Sequence, residues 1–411
     1  MATVVLVGTH DTKGEEYGWL RAQLEAAGCS VTAVDVGSFT EHSSAEISAA
    51  EVAARSGVDV APLLEARDRG AVMDAMGRGA AVVVRELFDR GELHAVLAVG
   101  GSSGSSVAAP AMQALPVGVP KLLVSTMASG DVAPYVGQSD VTLMYSVVDI
   151  SGLNSISRAV LGNAAAAAAG MALAFERRAS EPRPDEAPLV GASMFGLTTP
   201  AVDEARARLT ELGYEVLVFH ATGAGGRAME GLADDGLLTG VLDLTTTELA
   251  DDLVGGVLTA GPHRLEAAGR RGIPQVVSVG ALDMVNFGGR ETVPDRFADR
   301  HFLVHNPTVT LMRTTAGEMA ELGRRIATKV AAATGPVEVL LPMGGVSGID
   351  VPGGPFADAD ADTALFTAVR EGLAGTDVPV VEFDGAINDP GFGRLAAERL
   401  HALITATRSE D

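Results

Sequence analysis

The order of residues predicts two α/β domains built on parallel sheets, each Rossmann-like. Three observations carry the prediction. Apolar runs of four to seven residues alternate with amphipathic segments of helical period, the pattern of a parallel sheet covered on both faces. Polar, glycine-rich loops follow many of those runs, at the strand ends where open α/β sheets bind ligands. One charged segment with three prolines, 177–188, interrupts the alternation and reads as an exposed linker. It separates a domain at 1–178 from a second at 189–411.

In the first half the spacing predicts strands at 3–7, 30–34, 95–99, 121–124 and 141–146. Helices are expected at 15–27, 43–55, 68–89, 105–114 and 151–176. In the second half strands are expected at 189–192, 215–219, 240–244, 275–279, 302–304, 337–341 and 378–382. Helices fall at 200–212, 227–234, 246–258, 315–333, 361–373 and 393–407. The halves also align with each other. Leu6, Val7 and Gly8 map onto Leu189, Val190 and Gly191, while Gly28, Val31 and Asp35 map onto Gly213, Val216 and His220. A duplication fits this alignment, and two such domains facing each other at their carboxyl strand ends would enclose a cleft.

Composition narrows the function. Aromatic residues are only 4% of the chain and glycines number 49, so small aliphatic side chains do the packing. With 53 acidic against 30 basic residues the net charge is −23. A surface that acidic disfavours nucleic acid and anionic membranes. Any phosphate must then be held by local N–H groups. The longest apolar stretch, 159–175, is alanine-rich and short for a bilayer, and reads as a buried helix. The first eight residues run into charged ones too soon for a signal peptide. Cys29 is the only cysteine, which with these features gives a cytoplasmic expectation.

Three loops of the first half carry phosphate-binding chemistry. Gly8–Gly14 offers Thr9, Thr12 and Lys13 to phosphates and Asp11 to Mg2+. Its spacing is neither Walker nor GxGxxG, and a polar helix cap explains it equally well. Gly100, Gly101, Ser102, Gly104 and Ser105 occupy a helix start, where backbone N–H groups and the helix dipole favour an anion. Ser125, Thr126, Ser129 and Gly130 follow another strand at the same sheet edge. Together they point to a nucleotide or another phosphorylated ligand. Asp140, Asp149 and Asn154 read as caps.

The second half presents a different set. His220 ends a strand, followed by Gly223, Gly225, Gly226, Arg227 and Glu230, a glycine nest with a fixed positive charge. Asp243, Asn286, His305, Asn306, Arg313, Gly344 and Gly345 also fall at or near strand ends. His220 or His305 paired with a carboxylate would serve as general acid and base, with Arg227, Glu230 and Asp243 beside them. Gly225, Gly226, Asn286, Asn306, Arg313, Gly344 and Gly345 would hold a substrate. A metal on His220, His305, Asp243 and Glu230 is the competing use, although no tight histidine spacing supports it.

At these residues the chain closely resembles the Tm-one-like ATP-binding domain family. The resemblance runs from about residue 3 to residue 400, through GTHDTKG (8–14), GGSSGSS (100–106), VSTMASGDVAPYVG (124–137), FHATGAGGRAME (219–230), VLDLTTTELAD (241–251), NFGG (286–289), HNPTVTLMRTT (305–315) and INDPGF (387–392). It implies ATP with Mg2+ on the first domain, a second α/β domain of undefined activity, and self-association as a homodimer or larger homo-oligomer. Plant and fungal relatives carry an added barrel domain, so a separate TIM-barrel partner is implied as well. Ser105-Ser106 replaces a Gly-Thr pair of those relatives. Three functions remain open: an ATP-dependent enzyme acting on a small carboxylate or carbonyl compound in the cleft, a nucleotide-binding regulator that presents a surface to another protein, and an ATP-independent lyase or isomerase in the second domain.

Overall fold

The computed structural model describes residues 1–37, 45–181 and 187–408. The chain divides into two compact units, Met1–Pro184 and Asp185–Asp411.

In the first unit five strands, β1 (Thr3–Gly8), β2 (Ser30–Asp35), β3 (Ala95–Gly100), β4 (Lys121–Ser125) and β5 (Thr142–Tyr145), form one parallel sheet in the order β2-β1-β3-β4-β5. Side chains along a strand alternate between faces, and here both faces are dry. Val5 and Val7 join a core with helices Arg69–Asp89 and Ser102–Gln113, whereas Val4 and Leu6 join another with His10–Ala26 and Ser155–Ser180. The helix Ser155–Ser180 is long and apolar enough to cross a membrane by length and composition. Its Leu161, Ala164, Ala165, Ala168 and Ala172 are buried in the second of these cores, the face expected of a core helix. Cys29 is a free, buried thiol.

The second unit has six parallel strands: β6 (Leu189–Met194), β7 (Glu215–His220), β8 (Gly240–Thr245), β9 (Gln275–Gly280), and, further along, two more. Between these come β10 (Met284–Phe287), β11 (Phe302–Asn306) and β12 (Val309–Arg313), a separate antiparallel sheet ordered β10-β12-β11. β13 (Val337–Pro342) and β14 (Val380–Phe383) complete the large sheet, ordered β14-β13-β9-β8-β6-β7. The apolar pattern predicts a strand only at 302–304 in this antiparallel part, where the structure has three.

Both large sheets start alike. The first strand lies between the second and third, so the β2-β1-β3 order of one unit recurs as β7-β6-β8 in the other. The register corrects one internal alignment. Thr3 lies opposite Ser30 and Leu189 opposite Glu215, so Leu189 answers to Thr3, three residues from Leu6. The alignment of Asp35 with His220 agrees with the pairing, since these lie opposite Gly8 and Met194. Part of the expected helix 43–55 lies outside the described residues; what is described is Ala49–Ala54.

Candidate functional site

In the first sheet the chain leaves β1 and β3 toward opposite sides, which opens a crevice at their carboxyl ends. A cavity of about 770 Å³ lies there. Thr9, Asp11, Thr12 and Lys13 line it from the β1 loop, and Gly101, Ser102, Ser103 and Gly104 from the β3 loop. Val36, Leu63, Leu64, Val72 and Met73 give it an apolar wall.

The β3 loop is built for an anion. Gly101 caps the helix Ser102–Gln113 without any side-chain acceptor. The N–H groups of Ser102, Ser103 and Gly104 have no acceptor among the described residues, and the helix dipole adds to their positive potential. Gly100 is required by the close approach of the turn, because a Cβ there would lie 2.9 Å from the Cα of Gly104.

Tyr17 fixes the crevice from below. Its hydroxyl accepts the N–H of Val99 at 3.0 Å and lies 2.9 Å from the carbonyl of Val7 and 2.8 Å from that of Val99, one of which takes its proton. Burial pushes the phenol's pKa up, so the proton stays. The His10 ring stacks on Tyr17 at 4.7 Å, and its backbone N–H donates to Asp35. Burial also lowers the His10 pKa, which keeps the imidazole neutral, and its Nε2 has no partner among the described residues. Asp35 stands at the end of β2, the place of the ribose-binding acid in dinucleotide folds, but it is buried and accepts the N–H groups of His10 and Gly37. The neighbouring Asp11 has a buried Oδ1 with no partner among the described residues. Lys13 donates to the carbonyl of Ile150, and Thr9 bonds Thr12 at 3.0 Å.

The third expected loop does not line this cavity. Ser105 and Ser125 are both buried and bond each other at 2.7 Å, joining helix to strand, and Ser125 also accepts the N–H of Met127. Thr126, Ser129 and Gly130 lie in the turn beyond β4 and are not among the lining residues, although Thr126 donates its N–H to Gly100. Asn154 caps Ser155–Ser180, as expected. Asp140 pairs with the buried Lys121, while Asp149 lines the cavity. Ser103 of the GGSSGSS loop also lines it, as do Arg67 and Arg69, which no sequence motif announces.

The equivalent crevice of the second unit, between β6 and β8, is filled by the protein's own groups. Ser193 donates to Asp243 at 2.6 Å and accepts the N–H of Thr245, and Thr198 bonds Thr245 at 2.7 Å. The glycine nest is occupied too. The Oε1 of fully buried Glu248 accepts the N–H groups of Gly223 and Gly226, at 2.6 and 3.0 Å. A Cβ on Gly226 would overlap this carboxylate, and one on Gly225 would overlap the carbonyl of His220. These glycines make room for a side chain and a backbone rather than for a substrate.

Arg264, which no sequence motif singles out, organises the cluster. It is buried, donates from Nε to Glu248 at 2.6 Å, holds Asp243 with both terminal nitrogens and reaches Glu230 at 3.1 Å. Glu230 also accepts the N–H groups of Leu265, Glu266 and Ala267, capping the turn Ala267–Arg270. Expected as catalytic, Glu230 and Asp243 instead balance a buried cation.

The remaining candidates are not brought together. His220 is exposed beside Phe195 on the large sheet, and His305 is exposed on β11 of the small one. Neither contacts a carboxylate among the described residues. Arg227 is exposed and donates to the carbonyl of Thr259. Asn306 accepts from Thr308 in its own turn. Asn286 donates to buried Asp251, and Arg313 holds Asp350, Asp362 and the carbonyl of Phe356. Gly344 donates its N–H to Gly385, and Gly345, at φ +136°, lies against the carbonyl of Asp350. Burial pushes Asp251 and Asp283 up to about 7. Among the described residues no group of three or more His, Cys, Asp or Glu side chains could hold a metal, so the four-residue metal set is not assembled.

Comparison with known proteins agrees with the division into two units. Residues 2–177 match the N-terminal domain, and residues 187–404 the C-terminal domain, of an uncharacterised protein family, UPF0261. The chain belongs to the UPF0261 family. A UPF0261 protein of Clostridium tetani is 48% identical over 398 residues, 97% of this chain and 98% of that one. A UPF0261 protein of Mesorhizobium japonicum is 46% identical over the same length. The ToMV resistance protein Tm-1(GCR237) of Solanum lycopersicum is 42% identical over 344 residues, 83% of this chain but only 45% of the tomato protein. The sequence resemblance to Tm-one-like proteins is thus a resemblance within UPF0261.

Proposed function

We propose that this UPF0261 protein binds ATP with Mg2+ in the β1–β3 crevice of its first unit. The observation that carries the reading is the cavity of about 770 Å³ with three acceptor-free N–H groups at a helix start on one side and an apolar wall on another. That volume suits a nucleotide, the N–H groups suit its phosphates, and the wall suits its base. Asp11 fits the metal, because its buried oxygen lacks any other partner among the described residues. Bound Mg2+ would neutralise phosphate charge and fix the phosphate chain. Thr9, Thr12 and Lys13 would orient it, Lys13 by exchanging the Ile150 carbonyl for a phosphate oxygen.

A specific observation favours the regulator over the ATP-dependent enzyme. In the second unit Glu230, Asp243 and the glycine nest are spent on Arg264, Glu248 and the backbone, and His220 and His305 stand exposed without a carboxylate partner among the described residues. Binding without turnover is therefore the reading we adopt. The net charge of −23 and the free buried Cys29 suit a cytosolic setting, and self-association remains part of the proposal by family resemblance.

Calorimetric titration of the full chain with Mg2+ and ATP tests the reading. We expect a saturable heat with one nucleotide per chain and intact ATP afterwards. No heat at millimolar nucleotide would remove the nucleotide site, and steady release of ADP would restore the enzyme.

A further inference from the structure

We propose that Arg67 and Arg69 read the outer phosphates of the nucleotide, so that the cavity selects a nucleoside triphosphate over the di- and monophosphate. The inference rests on the nucleotide reading of the same cavity and adds its specificity.

Arg67 lines the cavity with φ at +54°, in the left-handed region. For a residue with a side chain that conformation costs about 1–2 kcal/mol, and glycine would remove the cost. It is held by hydrogen bonds from the Arg67 N–H to Leu64 and from the Arg69 N–H to Arg67. An arginine kept where glycine is easier needs a use for its guanidinium.

Charge supplies the second observation. The chain has 53 acidic residues against 30 basic ones, and its buried arginines are all satisfied by carboxylates, as Arg264 and Arg313 illustrate. The Arg67 guanidinium has no hydrogen-bond or ion-pair partner among the described residues. Arg69 contacts only a neutral group, the Ser103 hydroxyl at 3.3 Å. Two exposed guanidinium groups without a carboxylate partner among the described residues line one cavity.

Their placement separates the roles. Ser103 belongs to the first turn of Ser102–Gln113, so a phosphate on the free N–H groups lies beside Arg69. One phosphate is satisfied by that set. Arg67 gains an acceptor only if the phosphate chain continues. The segment that carries both arginines also supplies Leu63 and Leu64 to the apolar wall.

The experiment is calorimetry of the full chain with ATP, ADP and AMP, each with Mg2+, for the parent protein and for Arg67→Ala, Arg67→Gly and Arg69→Ala. The parent is expected to bind ATP most tightly and AMP least. A lost charge-assisted hydrogen bond corresponds to roughly tenfold or more in affinity. Arg67→Ala and Arg69→Ala should therefore weaken ATP about tenfold or more, and Arg67→Ala should leave AMP within about threefold. Arg67→Gly should lose ATP equally while melting at the same or a higher temperature, because glycine adopts this φ freely. That rules out misfolding as the cause. Equal weakening of all three nucleotides by Arg67→Ala, or no weakening of ATP by either arginine variant, would overturn the selection of triphosphate with the nucleotide site intact. Absence of binding to the parent would overturn both.

Discussion

The ring of Tyr17 occupies the space a side chain on Gly8 would need: a Cβ at Gly8 would fall within it. The pair sits where β1 and β3 separate, and it sets the floor of the crevice there. Gly8→Ala must displace the ring and with it the hydroxyl that bonds Val99. We expect it to destabilise the first unit by at least the roughly 1–3 kcal/mol typical of overpacking. Tyr17→Phe keeps the ring but leaves the Val99 N–H without its partner, at about 1–3 kcal/mol. Trp19, the only tryptophan, lies in His10–Ala26 and reports this unit's urea unfolding by fluorescence.

Arg264 should be the least replaceable residue of the second unit. Arg264→Leu leaves Asp243 and Glu248 buried without their cation, and breaking such a pair from one side costs about 3–5 kcal/mol. Circular dichroism during urea unfolding should show the second unit unfolding earlier, with the Trp19 signal unmoved.

Stability should fall with rising pH across mildly acid conditions. Asp251 has its pKa raised by burial from the ordinary 3.8 to about 7, so the folded chain holds a proton that the unfolded chain releases. Its stabilising contribution is complete below about pH 4 and lost as pH rises through about 7, with a slope of at most ~1.4 kcal/mol per pH unit for the one group. Asp283, Asp350 and Asp362 are raised in the same direction. Asp251→Asn is expected to flatten the profile and stabilise the protein at pH 8. A melting profile as steep as the parent's would contradict this assignment.

Nucleotide should protect the first unit alone. At a hundredfold excess over the dissociation constant, mass action contributes about 2.7 kcal/mol, a rise of about 5–10 °C in melting temperature for a unit of this size. Asp11→Asn should reduce the Mg2+-dependent part of that rise. A thermal scan followed by Trp19 fluorescence, with ATP added with and without Mg2+, measures both effects.

The two large sheets are legible in the sequence because both of their faces are buried. Runs such as 4–7 and 95–99 are continuously apolar, as strands buried on both faces read. β10 and β12 are not legible, because Asn286, Thr310 and Arg313 sit inside them as buried polar residues and break the apolar pattern. The β1 and β3 loops announce themselves by their glycines and hydroxyls. Arg67 does not, since a left-handed arginine has no local signature. Nor does Arg264, whose partners Glu230, Asp243 and Glu248 come from three other elements. The glycine nest takes up an anion, the Glu248 carboxylate, which lies 25 residues beyond Gly223.

Glu248 reaches the N–H groups of Gly223 and Gly226 as a ligand tethered to its own receptor. A short flexible tether gives an effective concentration of about millimolar, and a partner held rigidly in place exceeds that by far. A free phosphate or carboxylate therefore meets a receptor that is saturated at any metabolite level. The nest is self-liganded, and its donors are closed to anions in solution.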